Sequence, residues 1–346
     1  MEIRLKMTSR TMTLMAMELK SAPEGAFQCL VVVVVRNDTV IGIGIWSQPI
    51  TLGNRLQRPL RGLGCQGIVT PLNKPKRKMP DLIEDGYCLI PDVLPMDLLK
   101  RLRQTIESLC ADADRGYRQS QGIMMSAMTD PLLAELITLP SALKVLADLG
   151  YTAPSFTDGY LISKPRHSPR LFWHYDWFAW KDPDARSREP QQIFLMYYLI
   201  DTTPNNGCLR VIPGSHRQHN PLHELLSSPH SPELSRIDNP DNPAFSTRPD
   251  EVDVPVKAGD LVIGDARMLH AAHANNSEQL RTVITLWIQP RFEELPERVK
   301  AQMVQKTHTV PKEWPEDARH AVESMHPQYG GHAEPYGRDF YEPPMN

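Results

Sequence analysis

The sequence predicts a mainly β protein with flanking helices, built on a double-stranded β-helix (jelly-roll, cupin-like) core. Three observations predict it. Apolar residues repeat at helical spacing between Asp81 and Gly150, short β-type runs separated by turn residues follow as far as Trp287, and no internal repeat interrupts that order. A helical block followed by many short strands is the pattern of a double sheet braced by helices on one side. With 346 residues and 41% hydrophobic content, the chain has ample material for a buried core in one large domain or two average ones.

Residues 1–79 stand apart as an N-terminal extension. They hold a methionine-rich start, the apolar run Leu30 to Val35 and a segment punctuated by Pro59, Gly62, Gly64, Pro71 and Pro75. Cys29 to Val35 and Val40 to Trp46 flank the polar tetrad Arg36-Asn37-Asp38-Thr39, which permits a β-hairpin. An isolated hairpin is marginal in water. A poorly ordered extension, and a native start nearer Met79, stay open beside it.

The domain proper is expected over residues 80–295. Gly86-Tyr87-Cys88-Leu89-Ile90 reads as a strand, and Leu98, Leu99, Leu102, Ile106, Leu109 and Cys110 repeat as one face of a helix. Asp130-Pro131 supplies a cap and first-turn proline to a second helix, and Ser141 to Leu149, stopped by Gly150, makes a third. Strands are then expected over Tyr160 to Ser163, Leu171 to Tyr175, Ile193 to Ile200, Leu209 to Ile212, Val252 to Val256, Leu261 to Ile263 and Val283 to Ile288. Residues 217–250 are polar and broken by six prolines; a structureless insertion of that length is a lid or disordered. Residues 296–346 are read as a C-terminal extension.

Composition narrows the partners. A formal charge of -3 gives no field to attract nucleic acid or an acidic membrane. The basic run Lys74, Lys76, Arg77 and Lys78 is read as a solvated linker rather than an import or phosphate-binding patch. Cys29, Cys65, Cys88, Cys110 and Cys208 are odd in number and never spaced as a thiolate pair, which suits reduced thiols in a cytoplasmic protein. No apolar stretch reaches the roughly eighteen residues of a bilayer span. The acidic Glu18 and Glu24 ahead of the valine run argue against export. A small-molecule substrate is the expected partner, with no nucleic acid and no membrane. Nothing in the sequence specifies an oligomeric state.

The chemistry lies in two distant segments. In Phe172-Trp173-His174-Tyr175-Asp176-Trp177, His174 and Asp176 are two apart, so on a strand both side chains leave one face and can grip one ion. Alone, that triplet is weak, because a hydrogen-bonded histidine beside a surface aspartate has the same spelling. The second segment strengthens it: a turn and strand from Ala258 to Asp265 deliver His270, and eleven positions later Arg281 opens the next strand. Alternation puts Arg281, Val283, Thr285 and Trp287 on a single face. A buried arginine needs an acidic partner, since an unpaired buried charge is very costly, and an acidic cosubstrate would serve. Two histidines and one carboxylate form a facial iron site with open coordination positions.

Residues 81–287 resemble the phytanoyl-CoA dioxygenase family of iron(II)- and 2-oxoglutarate-dependent oxygenases. The matching text is the Phe-Trp-His-x-Asp segment, the run Pro204-Asn205-Asn206-Gly207-Cys208-Leu209-Arg210-Val211-Ile212-Pro213-Gly214-Ser215-His216-Arg217, and the block from Gly259-Asp260 through His270 to Arg281. The resemblance implies a jelly roll, Fe(II) held by His174, Asp176 and His270, and the far carboxylate of 2-oxoglutarate held by Arg281. It also implies that Trp180 lines the cosubstrate pocket, and that these residues together use O2 to hydroxylate an unactivated C–H bond, releasing succinate and CO2. Family members that halogenate lack the carboxylate, so Asp176 points to hydroxylation.

His273 competes with His270 for the third ligand place, and the interval to Arg281 favours His270. His216 is read as capping its Pro-Gly-Ser turn, and His219, His223 and His230 as exposed or lid residues. Lys164, Arg166, His167 and Arg170 admit two readings, a receptor for an acidic group at the barrel mouth or plain surface charge, and the second is preferred. The alternatives to an oxygenase are a non-catalytic cupin-like metal and small-acid binder, a degenerate family member, and a zinc hydrolase.

Overall fold

In a computed structural model, residues 2–5, 12–18, 30–36, 39–46, 81–111, 117–226 and 231–341 are described, with backbone alone for 2–46 and 117–118. The chain divides into two compact units, Met1–Arg77 and Lys78–Asn346. In the first, β1 (Glu2–Leu5), β2 (Met12–Glu18), β3 (Leu30–Arg36) and β4 (Thr39–Trp46) form a four-stranded antiparallel sheet in sequence order. Strands β3 and β4 pair from Leu30 with Trp46 to Arg36 with Thr39, as β-branched runs on either side of a short polar connection do. The proline-punctuated segment and Met79 lie outside the described residues.

The second unit is a two-sheet jelly roll. One sheet has seven strands, β5 (Tyr87–Ile90), β6 (Tyr117–Arg118), β7 (Gly122–Ser126), β8 (Ser155–Lys164), β10 (Ile193–Tyr198), β13 (Leu261–Asp265) and β15 (Arg281–Gln289), ordered β5-β13-β10-β15-β8-β7-β6. The other has β9 (Leu171–His174), β11 (Leu209–Val211), β12 (Val252–Val254) and β14 (His270–Ala272), ordered β12-β11-β14-β9. Every pairing within both sheets is antiparallel.

Strand alternation assigns the two faces. On β10, Ile193, Leu195 and Tyr197 join a core with Leu98, Leu99, Leu102 and Ile106 of α1 (Met96–Cys110). Phe194, Met196 and Tyr198 point the other way, into a core shared with Leu209, Val211 and Val254 of the second sheet. The period of two therefore sorts one strand between a helix-covered outer face and a barrel interior. Helices α2 (Leu132–Ile137) and α3 (Pro140–Asp148) lie in the outer core with α1, where burial of each leucine-sized side chain contributes about 1.5–3 kcal/mol.

One expectation needs correction. The described residues of 217–250 are not structureless: they form α4 (Pro221–Leu225), α5 (Pro232–Arg236) and a 3-10 turn at Pro243–Phe245. Leu222, Leu226, Leu234 and Phe245 are buried against Phe172 and Trp173, so the segment is part of the core and not a free lid. The C-terminal extension, where described, is packed: α6 (Glu297–Lys306) buries Val299 and Met303 in that same core, and α7 (Glu316–Glu323) buries Val322 in the core that also holds α2. No helix among the described residues is long and apolar enough to cross a membrane.

A buried ion pair fixes the turn between β13 and β14. Arg267 and Asp265, each 1% exposed, meet at 2.6 Å, and Arg267 also donates to the carbonyls of Ala185 and Ser187. Removing one member would strand the other charge, so Arg267→Ala should cost about 3–5 kcal/mol. A chemical-denaturation midpoint unchanged from wild type would refute that role.

Candidate active site

His174 and His270 face each other across β9 and β14, whose register pairs those two residues directly. Their ring centroids are 4.1 Å apart. In each ring Nδ1 lies beside a backbone carbonyl two residues earlier, His174 at 3.1 Å from Phe172 O and His270 at 3.0 Å from Met268 O. A carbonyl can only accept, so each Nδ1 carries the proton. Each Nε2 is left with a lone pair, as metal-ligating histidines require.

Asp176 reaches the same point by a different route from the one its spacing suggests. Strand β9 ends at His174, and the backbone then turns so that the amides of Asp176 and Trp177 both donate to Ala266 O, at 2.8 and 2.9 Å. That anchorage holds one carboxylate oxygen 3.7 Å from His174 Nε2 and the other 3.7 Å from His270 Nε2. Trp287 donates its indole N–H to Asp176 Oδ2 at 3.0 Å. Burial pushes the Asp176 carboxyl above its usual range, while His270 and the Trp287 hydrogen bond pull it down. A buried acid between two imidazole lone pairs fits a cation, whose charge would offset the cost of burial.

The Trp287 contact was not legible as a hydrogen bond in the sequence, although the alternation of β15 placed it on the correct face. Such an outer partner typically sets metal affinity by about 10- to 100-fold. Trp287→Phe should therefore weaken binding of Fe(II) or Co(II) by that order while the protein stays folded. Unchanged affinity in a metal titration would show that the indole merely packs.

The triad opens on a small cavity of about 70 Å³ whose wall includes Arg281, Val283, Thr285 and Trp287, the four residues predicted to share one face of β15. Arg281 is 3% exposed, and no carboxylate lies within ion-pair distance of it among the described residues. Its Nε–H has no acceptor. Burial lowers its pKa, opposed by Tyr198 and Cys208 nearby. Gly207 makes room for it: with φ of +85° the position favours glycine, and a Cβ there would sit 3.2 Å from Arg281 Nε.

Lys164 overturns the preferred reading of its cluster as surface charge. It is 1% exposed, pairs in register with Arg281 across β8 and β15, and lines the same cavity. Its ammonium donates to Ser120 O at 2.8 Å and Pro169 O at 2.5 Å. Burial, and then the neighbouring Arg281, hold its pKa well below the lysine norm. Arg166 and His167 are exposed as expected, His167 meeting Glu278 at 2.9 Å.

Trp180, which the resemblance implies lines the cosubstrate pocket, is buried near the triad segment. It is not among the residues that line the 70 Å³ cavity, and its ring lies 5.3 Å from Tyr175 and 4.9 Å from Tyr341. His273 is excluded as third ligand by geometry, since its Nε2 is 2.6 Å from Asp253 on the side occupied by Cys208. His216 Nε2 bonds Ile83 O, and His223 completes the capping box of α4 with Asn220, so neither is free surface. His230 lies outside the described residues.

Residues 82–283 match the family model described as phytanoyl-CoA dioxygenase, a span that holds His174, Asp176, His270 and Arg281. The ectoine dioxygenase of Sphingopyxis alaskensis is 26% identical over 208 residues, covering 55% of this chain and 68% of that protein. The L-proline trans-4-hydroxylase of Streptomyces griseoviridis is 28% identical over 153 residues, covering 42% of this chain and 56% of its own length. Among solved structures, HygX of Streptomyces hygroscopicus with nickel and 2-oxoglutarate bound is 19% identical with a TM-score of 0.48, covering 61% of this chain and 85% of that one. EctD of S. alaskensis with 2-oxoglutarate and 5-hydroxyectoine is 22% identical with a TM-score of 0.44, covering 60% and 72%.

Proposed function

The chain belongs to the phytanoyl-CoA dioxygenase family, and on that premise we propose that it is an iron(II)- and 2-oxoglutarate-dependent dioxygenase hydroxylating an unactivated C–H bond of a small molecule. The observation that carries this reading is the convergence of two Nε2 atoms and a buried carboxylate beside a buried arginine that has no acidic partner among the described residues. His174, Asp176 and His270 would hold the iron, and Arg281 the far carboxylate of 2-oxoglutarate. Lys164 adds a second basic side chain on the same wall. Bound Fe(II) supplies the redox step that couples O2 and 2-oxoglutarate to substrate oxidation, with succinate and CO2 as coproducts.

The chain's own residues do the rest. The Nδ1 contacts to Phe172 O and Met268 O hold both imidazoles in place and turn each Nε2 toward the position the metal would occupy. Trp287 orients the carboxylate, and Met196, Leu209, Val283 and Ile162 line the inner cavity with apolar surface that excludes water from the reacting atoms. The two relatives are named for ectoine and L-proline, which supports a small-molecule substrate.

The test is succinate release from 2-oxoglutarate by protein loaded with Fe(II), against the same protein loaded with Zn(II). Release with iron alone is expected. No release with either metal would leave a binder or a zinc hydrolase, neither of which makes succinate, and equal release with both would remove iron from the reaction.

A further inference from the structure

Away from the triad, a second group of side chains among the described residues brings metal-binding donors together: Cys208, Asp253 and His273, whose donor atoms lie within 4.8 Å of one another. None of the three lines the inner cavity beside the triad. Strand pairing accounts for both facts. Leu209 of β11 pairs with Val254 of β12 and with Ala272 of β14, and Leu209 and Val254 share the barrel core. Alternation therefore turns Cys208 and Asp253, one step away along their chains, to the opposite face. His273 follows Ala272 and donates its backbone amide to Cys208 O at 3.0 Å, which sets it beside Cys208 at the end of the ladder. Three adjacent strands thus bring one donor each to one patch.

The donors run from core to surface. Cys208 is fully buried, whereas the His273 and Asp253 side chains are 23% and 40% exposed and touch at 2.6 Å, Nε2 to Oδ1. An ion can therefore enter from solvent at the carboxylate and imidazole and reach the sulfur. Burial, and then Asp253, push the Cys208 thiol up to about 12, opposed by Arg281, by a hydrogen bond from the Val254 amide and by Arg210. Without a cation the thiol keeps its proton. A metal would displace that proton to solvent, because a coordinating thiol is deprotonated outright, and the Val254 amide would then hold a charged sulfur.

Charge and donor type point to one class of ion. A thiolate, a carboxylate and a neutral imidazole carry two negative charges, which a single divalent ion cancels. Sulfur with nitrogen and oxygen is a donor set for zinc(II) and not for the hard ions magnesium or calcium. Zinc bonds of about 2.0–2.3 Å at tetrahedral angles place such donors roughly 3.3–3.6 Å apart. Filling the site would therefore part the His273–Asp253 contact by less than about 1 Å.

We propose that Cys208, Asp253 and His273 form a second metal site, for zinc(II) or a similar borderline ion, with a fourth position left to water. The ion would clamp β11, β12 and β14 at the end of the smaller sheet where Gly207 makes room for Arg281. Such a site stands whether or not the triad supports turnover.

The probe is cobalt(II) added to reduced, full-length protein. Sulfur bound to cobalt gives a charge-transfer absorption in the near ultraviolet, which the sulfur-free set His174, Asp176 and His270 cannot give. Wild type should show that absorption, and zinc(II) should remove it by displacing cobalt. Asp176→Ala should keep it while losing the cobalt that the triad takes, which separates the two sites. Cys208→Ser should abolish it. Asp253→Asn and His273→Gln, at partly exposed positions where folding is not at stake, should each weaken cobalt binding by more than the about 10- to 100-fold that loss of an outer partner costs. Melting curves check that the variants fold, and if Cys208→Ser does not, the other two decide. No sulfur absorption in wild type at saturating cobalt would overturn the site. So would absorption that survives Cys208→Ser or vanishes in Asp176→Ala, or unchanged affinity in both Asp253→Asn and His273→Gln.

Discussion

Asp176→Ala will abolish iron-dependent succinate release, and it will do so without unfolding the protein. The variant leaves two imidazoles whose Nε2 atoms no longer share an anionic neighbour at 3.7 Å. Losing an outer partner of a metal ligand costs about 10- to 100-fold in affinity or activity, so losing the anionic ligand itself should exceed about a hundredfold. Stability should move little or upward in metal-free protein. The carboxylate is buried and its charge disfavoured there, and alanine removes that penalty while leaving one indole N–H short of an acceptor. The diagnostic pattern is a retained melting temperature without metal together with loss of the stabilisation that Fe(II) or Co(II) gives wild type. Full activity, or an undiminished metal-induced thermal shift, would remove Asp176 from the ligand set.

How far this site could be read in advance depends on whether a residue's fate was local. The face of β15 was legible because alternation needs only the strand itself, and Arg281, Val283, Thr285 and Trp287 do line one cavity. The end of β9 at His174 was not, because the run to Trp177 keeps its alternation and only the distant Ala266 carbonyl diverts the backbone. Lys164 was misread for a similar reason. Its neighbours Arg166 and His167 are exposed, and nothing local tells that β8 is flanked by β15 and β7 in the sheet. Trp180 took its expected role from resemblance alone, whereas its neighbour Tyr341 lies far downstream.

Residues 217–250 teach a different lesson, since the signal was present and was read as loop. Asn220-Pro221, Ser231-Pro232 and Asn242-Pro243 each pair a capping side chain with a proline in the first turn, and each begins a short helix. In Gly264 the local text is silent and only packing explains the choice. A Cβ there would fall 2.1 Å from Phe194, whose ring lies 5.0 Å from that of His270. The glycine therefore leaves space for the ring that supports a candidate ligand.

Arg281→Leu should separate function from stability with opposite signs. In wild type the guanidinium is 3% exposed, lacks an acidic neighbour among the described residues, and faces Lys164 across the sheet. Replacing it with leucine removes a buried charge that no carboxylate among the described residues pairs, so the metal-free and cosubstrate-free protein should melt no lower than wild type and is expected to melt higher. With 2-oxoglutarate the order reverses. The cosubstrate carboxylate loses its partner, which costs about 3–5 kcal/mol, or on the order of a hundredfold to a thousandfold in affinity. Because a ligand stabilises the folded state by RT ln(1 + [L]/Kd), a hundredfold weaker Kd deletes about 2.7 kcal/mol of that gain at saturating 2-oxoglutarate. Arg281→Lys should fall between, since an ammonium keeps the charge but not the two parallel donors that match a carboxylate. Melting curves of the three proteins across a 2-oxoglutarate series read both signs at once. A leucine variant that binds 2-oxoglutarate as wild type does would transfer the anchor to Lys164, and one that melts well below wild type without ligand would mean that the arginine is satisfied within the fold.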